Sequence, residues 1–251
     1  MKLNGKVALV TGAAHRVGRV MALALAHEGA DIVVHYGGSV AAAHETAAEI
    51  ESLGRRALLV QGDMGSWDAA RAVGETALAH FGHIDILLNS ASSFVARGYF
   101  DTTEDDFDHA FNVNIKGPYV LGQVIGEAML KHELPEGEFG HIINIVDEGA
   151  FYPWKNYVAH SLSKAALLGL TRSQALNLGP KVRVNAICPG PILKPPTYTN
   201  AQWEGLRDSN PLHAIGTAEQ MGEIVVFLVT GPQFINGDCI MLDGGRMWKH
   251  Q

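Results

Sequence analysis

Short apolar runs alternate along this chain with longer stretches in which apolar residues recur every three or four positions. The short runs predict buried β-strands, and the longer stretches predict helices that pack against them. The predicted strands are Val7–Val10, Asp31–Tyr36, Arg56–Val60, Ile84–Leu88, His141–Val146, Val182–Ile187 and Cys239–Leu242. The predicted helices run from Val17 onward and over Val40–Leu53, Trp67–His80, Glu104–Lys131, Tyr157–Leu178 and Ala218–Val229.

A regular alternation of strand and helix is typical of an α/β fold. We therefore expect a single-domain Rossmann fold, with a seven-stranded doubly wound parallel sheet and helices on both of its faces. The chain has 251 residues, and α/β folds of that length commonly form one domain, so residues 1–251 are predicted to be a single unit. The irregular stretch Pro189–Pro211 is predicted to be a lid over a site.

The composition argues against several classes of function. With a net charge of −7, the chain lacks the basic stripe that is typical of nucleic-acid binding. It has no apolar run approaching the ~20 residues of a membrane span, and its first residues lack the apolar core of a signal peptide. No His-Glu-x-x-His or Cys-x-x-Cys spacing suggests a metal site. Cys188 and Cys239 stand in apolar segments and are predicted to be buried free thiols, so a cytoplasmic location is expected.

The junction between the first strand and the first helix has the pattern of a phosphate-binding turn. Val7–Val10 runs directly into Gly12 and small side chains, and apolar residues at helical spacing begin at Val17. A helix that starts where a strand ends directs its free N–H groups and the positive end of its dipole at the intervening loop, which favours an anion. Gly12 would allow a tight turn, and Gly18 would allow close packing of helix and sheet. By itself, the pattern also fits an ordinary strand-turn-helix without a ligand.

Small or polar residues follow three of the later strands. Asn89–Phe94 follows the fourth strand, Asp147 follows the fifth, and Pro189 and Gly190 follow the sixth. In a doubly wound sheet the ligand lies at the carboxyl ends of the strands, where the strand order reverses. We therefore expect these segments to line one crevice together with the phosphate-binding turn.

This set of motifs resembles the short-chain dehydrogenase/reductase family over the full length of the chain. The resemblance is carried by Thr11-Gly12 with Gly18, Asp63, Asn89-x-Ala91, Asn114, Lys164, Pro189-Gly190 and Asp243-Gly244-Gly245. It implies an NAD(P)-binding domain in which Asn89 stabilises the centre of the sheet and Asp63 contacts the adenine. It also implies that Asn114 and Lys164 belong to the catalytic set and that Pro189-Gly190 borders the nicotinamide. Members of this family are typically tetramers, so the resemblance implies a homotetramer.

Within the family, the chain looks like the pteridine reductase branch. Arg16 stands where most members have a glycine, and Asp147 stands where they have a catalytic serine. The segment Asn89–Phe94 also matches a loop of that branch. The resemblance implies that Ser92 contacts both cofactor and substrate, and that Phe94 stacks on a flat substrate ring.

The end of the second strand favours NADPH over NADH. Chains that bind NAD normally place Asp or Glu there to hold the ribose hydroxyls, whereas this chain has Val34-His-Tyr-Gly-Gly-Ser39. Arg16 is well placed to meet a 2′-phosphate, with Ser39 donating a hydrogen bond. Together with the resemblance, this predicts cofactor contacts from Gly12, Arg16, Val17, Gly18, His35, Ser39, Asp63, Met64, Asn89, Ala91, Ser92, Lys164, Pro189, Gly190 and Ile192.

The family's catalytic motif, Tyr-x-x-x-Lys, is altered in this chain. His160 stands in place of the tyrosine, four positions before Lys164. Residues at that spacing share one helical face, so both side chains are predicted to project into the crevice. Tyr157 lies one helical turn before His160, and we reject it as the replacement because recruiting it would require a shift of the helix register.

An imidazole can act as the proton donor that the phenol of tyrosine provides in the family. Imidazole has an unperturbed pKa of ~6.5 against ~10 for phenol, so it donates near neutral pH without help. Asp147 would favour a charged imidazole at His160, whereas Lys164 and an oxidised nicotinamide would oppose it. The sequence leaves that balance open, and the Asp147–His160 pair is expected to titrate as a unit.

The leading hypothesis is an NADPH-dependent reductase of a flat conjugated C=N or C=O compound, either pterin-like or a cyclic imine. Its predicted catalytic residues are Asn114, Asp147, His160 and Lys164, and its predicted substrate contacts are Ser92, Phe94, Asp147 and His160. No metal, membrane or nucleic-acid partner is expected. Two alternatives stay open. One is an ordinary short-chain alcohol dehydrogenase or ketone reductase, and the other is a non-catalytic NADPH-binding sensor that has lost its catalytic tyrosine.

Overall fold

A seven-stranded sheet forms the centre of the structure, a computed structural model that describes residues 2–249. Met1, His250 and Gln251, at the ends of the predicted 1–251 domain, lie outside the described residues. The strands are β1 (Val7–Val10), β2 (Asp31–Tyr36), β3 (Ala57–Gln61), β4 (Ile86–Asn89), β5 (Gly140–Ile145), β6 (Val182–Pro189) and β7 (Cys239–Leu242). All pairings are parallel, in the order β3-β2-β1-β4-β5-β6-β7. The predicted fold class is confirmed, with strand ends shifted by a residue or two.

Helices cover both faces of the sheet. They are α1 (Arg16–His27), α2 (Val40–Ser52), α3 (Trp67–Phe81), α4 (Glu104–Phe111), α5 (Gly117–Lys131), α6 (Val158–Leu178), α7 (Asn200–Glu204) and α8 (Ala218–Thr230). Residues of α1, α2 and α8 build one apolar core, and residues of α3, α5 and α6 build the core on the opposite face. Strand β1 contributes Ala8 and Val10 to the first core and Val7 and Leu9 to the second. A strand that is buried on both faces is apolar throughout, which is the pattern the sequence shows.

The predicted helix Glu104–Lys131 is divided in the structure. A π-helical turn over Asn112–Lys116 separates α4 from α5. The turn directs the side chain of Asn114 inward, where it is buried and hydrogen-bonded. Gly117 then packs so closely against Met64 that a Cβ at this position would lie 2.7 Å from the Met64 carbonyl oxygen. The spacing of apolar residues does not report one extra residue in a turn, so the pattern predicted a continuous helix.

The segment Pro189–Pro211 is more ordered than predicted. It contains α7 and a 3₁₀ turn over Gly205–Ser209. A capping box begins α7: the Gln202 backbone N–H donates to Thr199 Oγ1 at 3.2 Å, and the Thr199 backbone N–H donates to Gln202 Oε1 at 2.9 Å. The prediction of irregular structure is wrong over these residues, and the spacing Thr-x-x-Gln was the signal that indicated a helix start.

The order of the strands reverses between β1 and β4, and ligands of doubly wound sheets bind at the carboxyl ends of the strands at such a reversal. Thr11, directly after β1, accepts hydrogen bonds at Oγ1 from the backbone N–H groups of Ser90 (2.9 Å) and Ala91 (3.0 Å). These bonds join the loop after β1 to the loop after β4. Within residues 2–249, no helix is long and apolar enough to cross a membrane.

Candidate active site

The turn between β1 and α1 depends on two glycines. Gly12 has a φ of 66°, and a Cβ there would lie 3.1 Å from the Cα of Ala91 in the neighbouring loop. A Cβ on Gly18, in the first turns of α1, would overlap the carbonyl oxygen of Gly12. Both positions therefore require glycine, one for its backbone conformation and its neighbour, the other for close packing of the helix. The structure accounts for the glycine pair without any ligand, and it leaves the N-terminus of α1 facing this turn.

Arg16 begins α1 in a strained conformation. Its φ is 54°, in the left-handed region that favours glycine, at a cost of ~1 kcal/mol for an L side chain. The preceding residue, His15, makes no side-chain cap, and no acidic residue stands in the first turn of α1. An anion at this helix end would therefore meet free N–H groups, the positive end of the helix dipole and the Arg16 guanidinium.

The His35 side chain lies beneath the turn, with both ring nitrogens bonded to protein. The Gly12 backbone N–H donates to Nδ1 at 3.1 Å, and Nε2–H donates to the Gly62 carbonyl at 3.1 Å. Burial lowers the pKa of the imidazole, against smaller raising effects of the Gly62 bond and of Asp63. A neutral ring with its proton on Nε2 fits both bonds. His35 was predicted to contact the cofactor, but its ring is buried. The ring therefore supports the turn through its hydrogen bonds, and it is not at the surface where a cofactor could contact it.

The other predicted cofactor residues lie in the loops at the same edge of the sheet. Val17 is half-buried in α1, and Ser39 is half-buried directly before α2. After β3, Asp63 is exposed and accepts the Gly65 N–H at 2.8 Å, while Met64 is buried. Ser92 is exposed in the loop after β4.

Asn89, at the end of β4, is buried and points across the sheet. Its Nδ2 donates to Asn144 Oδ1 on β5 at 2.8 Å. Asn144 in turn donates to Thr171 at 3.0 Å and to Gln174 at 3.3 Å on α6. This polar chain joins β4, β5 and α6 at the centre of the sheet, in keeping with the stabilising role that the family resemblance implied for Asn89.

His160 and Asp147 form a tight pair. His160 Nε2 lies 2.6 Å from Asp147 Oδ2, and His160 Nδ1 lies 2.8 Å from the carbonyl oxygen of Ser93. The His160 side chain is 2% exposed and that of Asp147 is 16% exposed. Burial raises the pKa of the Asp147 carboxyl, but the hydrogen bond and charge of His160, with the charge of Lys164, outweigh it and leave this pKa below its usual range.

Asn114 fixes the carbonyl group on which His160 rests. Its Oδ1 accepts the Ser93 N–H at 2.8 Å, and its Nδ2 donates to the Ser93 carbonyl at 3.2 Å and to Ser163 Oγ at 2.8 Å. Ser163 Oγ donates to the His160 carbonyl at 2.7 Å. Asn114 therefore holds the loop after β4 and α6 in one arrangement, and both hydrogen atoms of its Nδ2 are bonded to protein groups.

Lys164 lies one turn after His160 and is buried. Its Nζ donates to the Ile145 carbonyl at the end of β5, at 2.7 Å. Burial lowers the pKa of Lys164, although Asp147 and Cys188 act in the opposite direction. The structure thus brings the four predicted catalytic residues, Asn114, Asp147, His160 and Lys164, together at the ends of β4 and β5.

Aromatic side chains surround the His160 ring. Phe94 meets it edge-on, with ring centroids 4.6 Å apart, and Trp154 lies parallel to it at 6.0 Å. Tyr157, directly before α6, stacks on Phe94 with centroids 4.5 Å apart. Phe94 itself remains 52% exposed. The cluster shields His160 from water and leaves one broad aromatic surface at the edge of the site.

Pro189 and Gly190 end β6 beside the loop that carries Asp147. A Cβ on Gly190 would lie 2.9 Å from the Cα of Asp243 and 3.2 Å from Glu148 Oε1. Glu148 is buried, pairs with Arg246 through Oε2, and has its pKa raised to about 7 by burial. Ile192, further along this loop, is buried. The turn after β6 therefore packs directly on the residue that follows Asp147.

Comparison with known proteins decides the family. The family model described as Enoyl-(Acyl carrier protein) reductase matches residues 12–246. This chain belongs to the short-chain dehydrogenase/reductase family. The match spans every strand that follows β1 and includes all four residues gathered at the ends of β4 and β5.

Relatives of this short-chain dehydrogenase/reductase cover nearly its whole length. Hydroxynaphthalene reductase-like protein Arp2 of Metarhizium robertsii is 32% identical, over 98% of this chain and 96% of that protein. A short chain dehydrogenase from Burkholderia cenocepacia in complex with NADP is 34% identical, with a TM-score of 0.89 over 98% of this chain and 99% of that chain. FolM Alternative dihydrofolate reductase 1 from Brucella canis complexed with NADP is 29% identical, with a TM-score of 0.89 over 99% and 96%.

Several residues at the site of this short-chain dehydrogenase/reductase were not predicted from its sequence. Nothing in the sequence indicated the Ser93 carbonyl, because every residue has a backbone carbonyl and the residue type does not show which one accepts a hydrogen bond. Ser163 carried a weak signal, because it stands one turn from His160 on a helix. Glu148 and Arg246 carried a clearer signal, as opposite charges within otherwise apolar or glycine-rich segments.

Proposed function

We propose that this protein is an NADPH-dependent reductase that transfers hydride to a flat conjugated C=N or C=O compound. The observation that carries the proposal is the His160–Asp147 pair, 2.6 Å between nitrogen and oxygen. It stands beside Lys164 in the crevice that also contains the phosphate-binding turn. NADPH, when bound, would supply the hydride. The pair would supply the proton, which is the role of tyrosine in other members of the family.

The residues of the β1–α1 turn fit a dinucleotide that carries a 2′-phosphate. Gly12 lets the chain turn tightly and Gly18 lets α1 pack close to that turn, which places the free N–H groups of α1 where a pyrophosphate can meet them. Arg16 and Ser39 would bind the 2′-phosphate, and the end of β2 offers no carboxylate that would repel it. The NADP bound in the Burkholderia cenocepacia and Brucella canis proteins supports this choice of cofactor.

The exposed part of Phe94, beside His160, favours a flat substrate. A conjugated ring packed against Phe94 would lie beside the Asp147 carboxyl group, with Ser92 at its edge. The names of two relatives, a hydroxynaphthalene reductase-like protein and an alternative dihydrofolate reductase, agree with reduction of fused rings. We infer membership of the pteridine reductase-like branch, in which the substrate ring is a pterin or a cyclic imine.

Each of the remaining polar residues has a distinct task in this proposal. Lys164 would orient the ribose of the cofactor from its position on α6, and Asn114 would keep His160 aligned through Ser93. The Pro189–Pro211 segment would close over the substrate and exclude water. The protein is proposed to act as a homotetramer in the cytoplasm, as its family resemblance and its free thiols suggest.

Loss of absorbance by reduced nicotinamide tests the proposal. The purified enzyme would be mixed with NADPH and, in separate reactions, with dihydrobiopterin, a cyclic imine and a simple ketone. We expect oxidation of NADPH with the pterin or the imine, and a much slower reaction when NADH replaces NADPH. Reduction of the ketone alone would favour an ordinary ketone reductase. Tight binding of NADPH without any turnover would favour the sensor.

A further inference from the structure

The hydrogen bonds of His160 determine how many protons the His160–Asp147 pair holds. Nδ1 lies 2.8 Å from the Ser93 carbonyl oxygen, which can only accept, so Nδ1 carries one proton. Nε2 lies 2.6 Å from Asp147 Oδ2, a distance at which two bare acceptors would repel each other. A second proton therefore lies between them. Whether it resides on nitrogen or on oxygen, it can leave the pair while the bond to Ser93 is kept.

Asp147 is the accessible member of the pair. His160 is 2% exposed, because Phe94 and Trp154 pack against its ring, whereas the Asp147 side chain is 16% exposed. Asp147 Oδ1 accepts one backbone N–H, from Gly149 at 2.9 Å. A carboxylate oxygen has a further lone pair, which a substrate can meet. A substrate entering the crevice therefore reaches the carboxyl group before it can reach the imidazole.

We propose that Asp147 donates the proton to the substrate and that His160, which lies deeper in the protein, supplies this proton to Asp147. The pair thereby favours reduction of a basic C=N bond over reduction of a C=O bond. This inference rests on the proposed function and narrows its substrate class. An imine nitrogen is basic enough to take a proton from a carboxyl–imidazole pair, whereas a ketone oxygen is a far weaker base. The protonated substrate is a cation, and it would lie between the Asp147 carboxylate and the Phe94 ring, which both favour positive charge.

The proposed reaction balances in protons and electrons. The imine nitrogen gains the proton from Asp147, and the imine carbon gains a hydride from NADPH, the reductant. The C=N π electrons become the nitrogen lone pair, so the imine is reduced to an amine and NADPH is oxidised to NADP⁺. The pair is left one proton short, and water returns that proton through the partly exposed carboxyl group of Asp147. The transfer requires no proton from Lys164, whose Nζ donates one hydrogen bond to the Ile145 carbonyl.

The shared proton can be observed in the absence of cofactor and substrate. A proton in a short N···O hydrogen bond is strongly deshielded, so proton NMR of the wild-type protein should show a signal far downfield of the other imidazole protons. Asp147→Asn keeps the shape of the side chain but replaces the shared proton by an ordinary amide hydrogen bond. The signal should be absent in Asp147→Asn and in His160→Phe. If it is absent from the wild type, or persists in either variant, the pair does not hold the proton.

Three matched substrates test the delivery of the proton. They are 3,4-dihydroisoquinoline, its N-methyl iminium salt, which needs no proton, and α-tetralone, the ketone of the same size. Reduction is followed at a pH at which the free imine is neutral. The wild type should reduce the imine at least about 100-fold faster than the ketone, the lower end of what general acid catalysis contributes. Asp147→Asn should lower the rate of imine reduction by about 10²- to 10⁴-fold. The same variant should lower the maximal rate of reduction of the iminium salt by less than about tenfold, because that salt needs no proton.

The outcomes separate this inference from the proposed function. If the wild type reduces none of the three substrates, the proposed function fails, and the NMR signal alone decides whether the pair holds the proton. If it reduces the ketone but neither C=N compound, the proposed function stands and the preference for C=N is overturned. If Asp147→Asn reduces the neutral imine as fast as the wild type, Asp147 is not the donor. If Asp147→Asn slows reduction of the imine and of the iminium salt to the same extent, the carboxyl group has a role other than proton donation. Equal rates with ketone and imine would overturn the selectivity.

Discussion

The side chains of Asn114 and His160 donate to the same backbone oxygen, the Ser93 carbonyl, at 3.2 Å and 2.8 Å. Asn114 also accepts the N–H of Ser93, so the peptide groups on both sides of Ser93 are held by one amide. The position of His160 is therefore set from α6 and from the π-turn at the same time.

Replacing Asn114 by Ala should release this carbonyl group. An unsatisfied buried N–H costs ~1–3 kcal/mol, so the melting temperature should fall. The turnover number should fall more than the stability suggests, because His160 loses its fixed orientation. The dissociation constant for NADPH, measured by fluorescence, should stay nearly unchanged. Ser163→Ala is the matched control, since it removes a neighbouring bond and leaves the Asn114–Ser93 contacts in place.

His160→Phe should abolish turnover and leave the affinity for NADPH nearly intact, because the ring is replaced by one of similar shape that carries no proton. In the wild type, the rate should decline as the pH rises, since the pair then loses the proton that it delivers. A rate that stays flat between about pH 5 and 9 would count against an acid in this pair. A fully active His160→Phe variant would mean that the proton comes from elsewhere.

Arg16→Gly should separate phosphate recognition from backbone strain. Loss of a hydrogen bond to a charged group costs ~1.5–3 kcal/mol, so the KM for NADPH should rise by about 10- to 100-fold while the KM for NADH stays the same. The φ of 54° suits glycine, so the unfolding free energy should rise by ~1 kcal/mol. Arg16→Ala, with the same loss of charge but a retained Cβ, should show the first effect without the second.

His35→Leu should weaken NADPH binding although the ring is buried away from the surface. The variant leaves the Gly12 N–H without its acceptor and frees the turn, and a small misplacement of binding groups can raise the KM by about tenfold or more. His35→Asn retains an acceptor near Nδ1 and should recover most of the affinity. The turnover number at saturating NADPH should hardly change in either variant, and a selective loss of turnover would contradict a role confined to the turn.

The stability of the protein should fall in acid through His141 on β5. Burial, with the charges of Arg183 and Lys6, lowers the pKa of His141 to about 3 in the folded protein, from about 6.5 in the unfolded chain. Below the unfolded value the unfolded state binds more protons, so stability is lost progressively as the pH falls from about 6.5 towards 3. Denaturant unfolding at a series of pH values should show a shallower decline in His141→Asn, which keeps an acceptor for the Arg183 guanidinium.

Much of the fold was predictable from the sequence, because strands buried on both faces are continuous apolar runs. All seven strands, including short ones such as β1 and β7, occur where the pattern placed them. The π-turn around Asn114 was not predictable, since a single extra residue leaves the apolar spacing almost unchanged. The helix α7 was missed for another reason, because its capping residues, Thr199 and Gln202, lie in a segment rich in proline.

The site residues that belong to family motifs could be predicted from the sequence. The contacts made by backbone groups could not be predicted as well. The pairing of Asp147 with His160 follows from a strand end that faces a helix. The difference in their exposure does not follow, since it depends on how Phe94 and Trp154 pack over the imidazole. The burial of His35 could not be predicted either, because a histidine can contact a ligand or support a turn through hydrogen bonds.

The π-turn over Asn112–Lys116 also restricts the number of residues that this stretch can contain. One residue advances an α-helix by 100°, so the extra residue rotates α5 relative to α4. As a result α4 packs on α6 while α5 packs on α3. Deleting a single residue here would turn one of these two helices away from its neighbour. Insertions and deletions in this stretch would therefore disturb a whole helix face, whereas a substitution would disturb only one side chain.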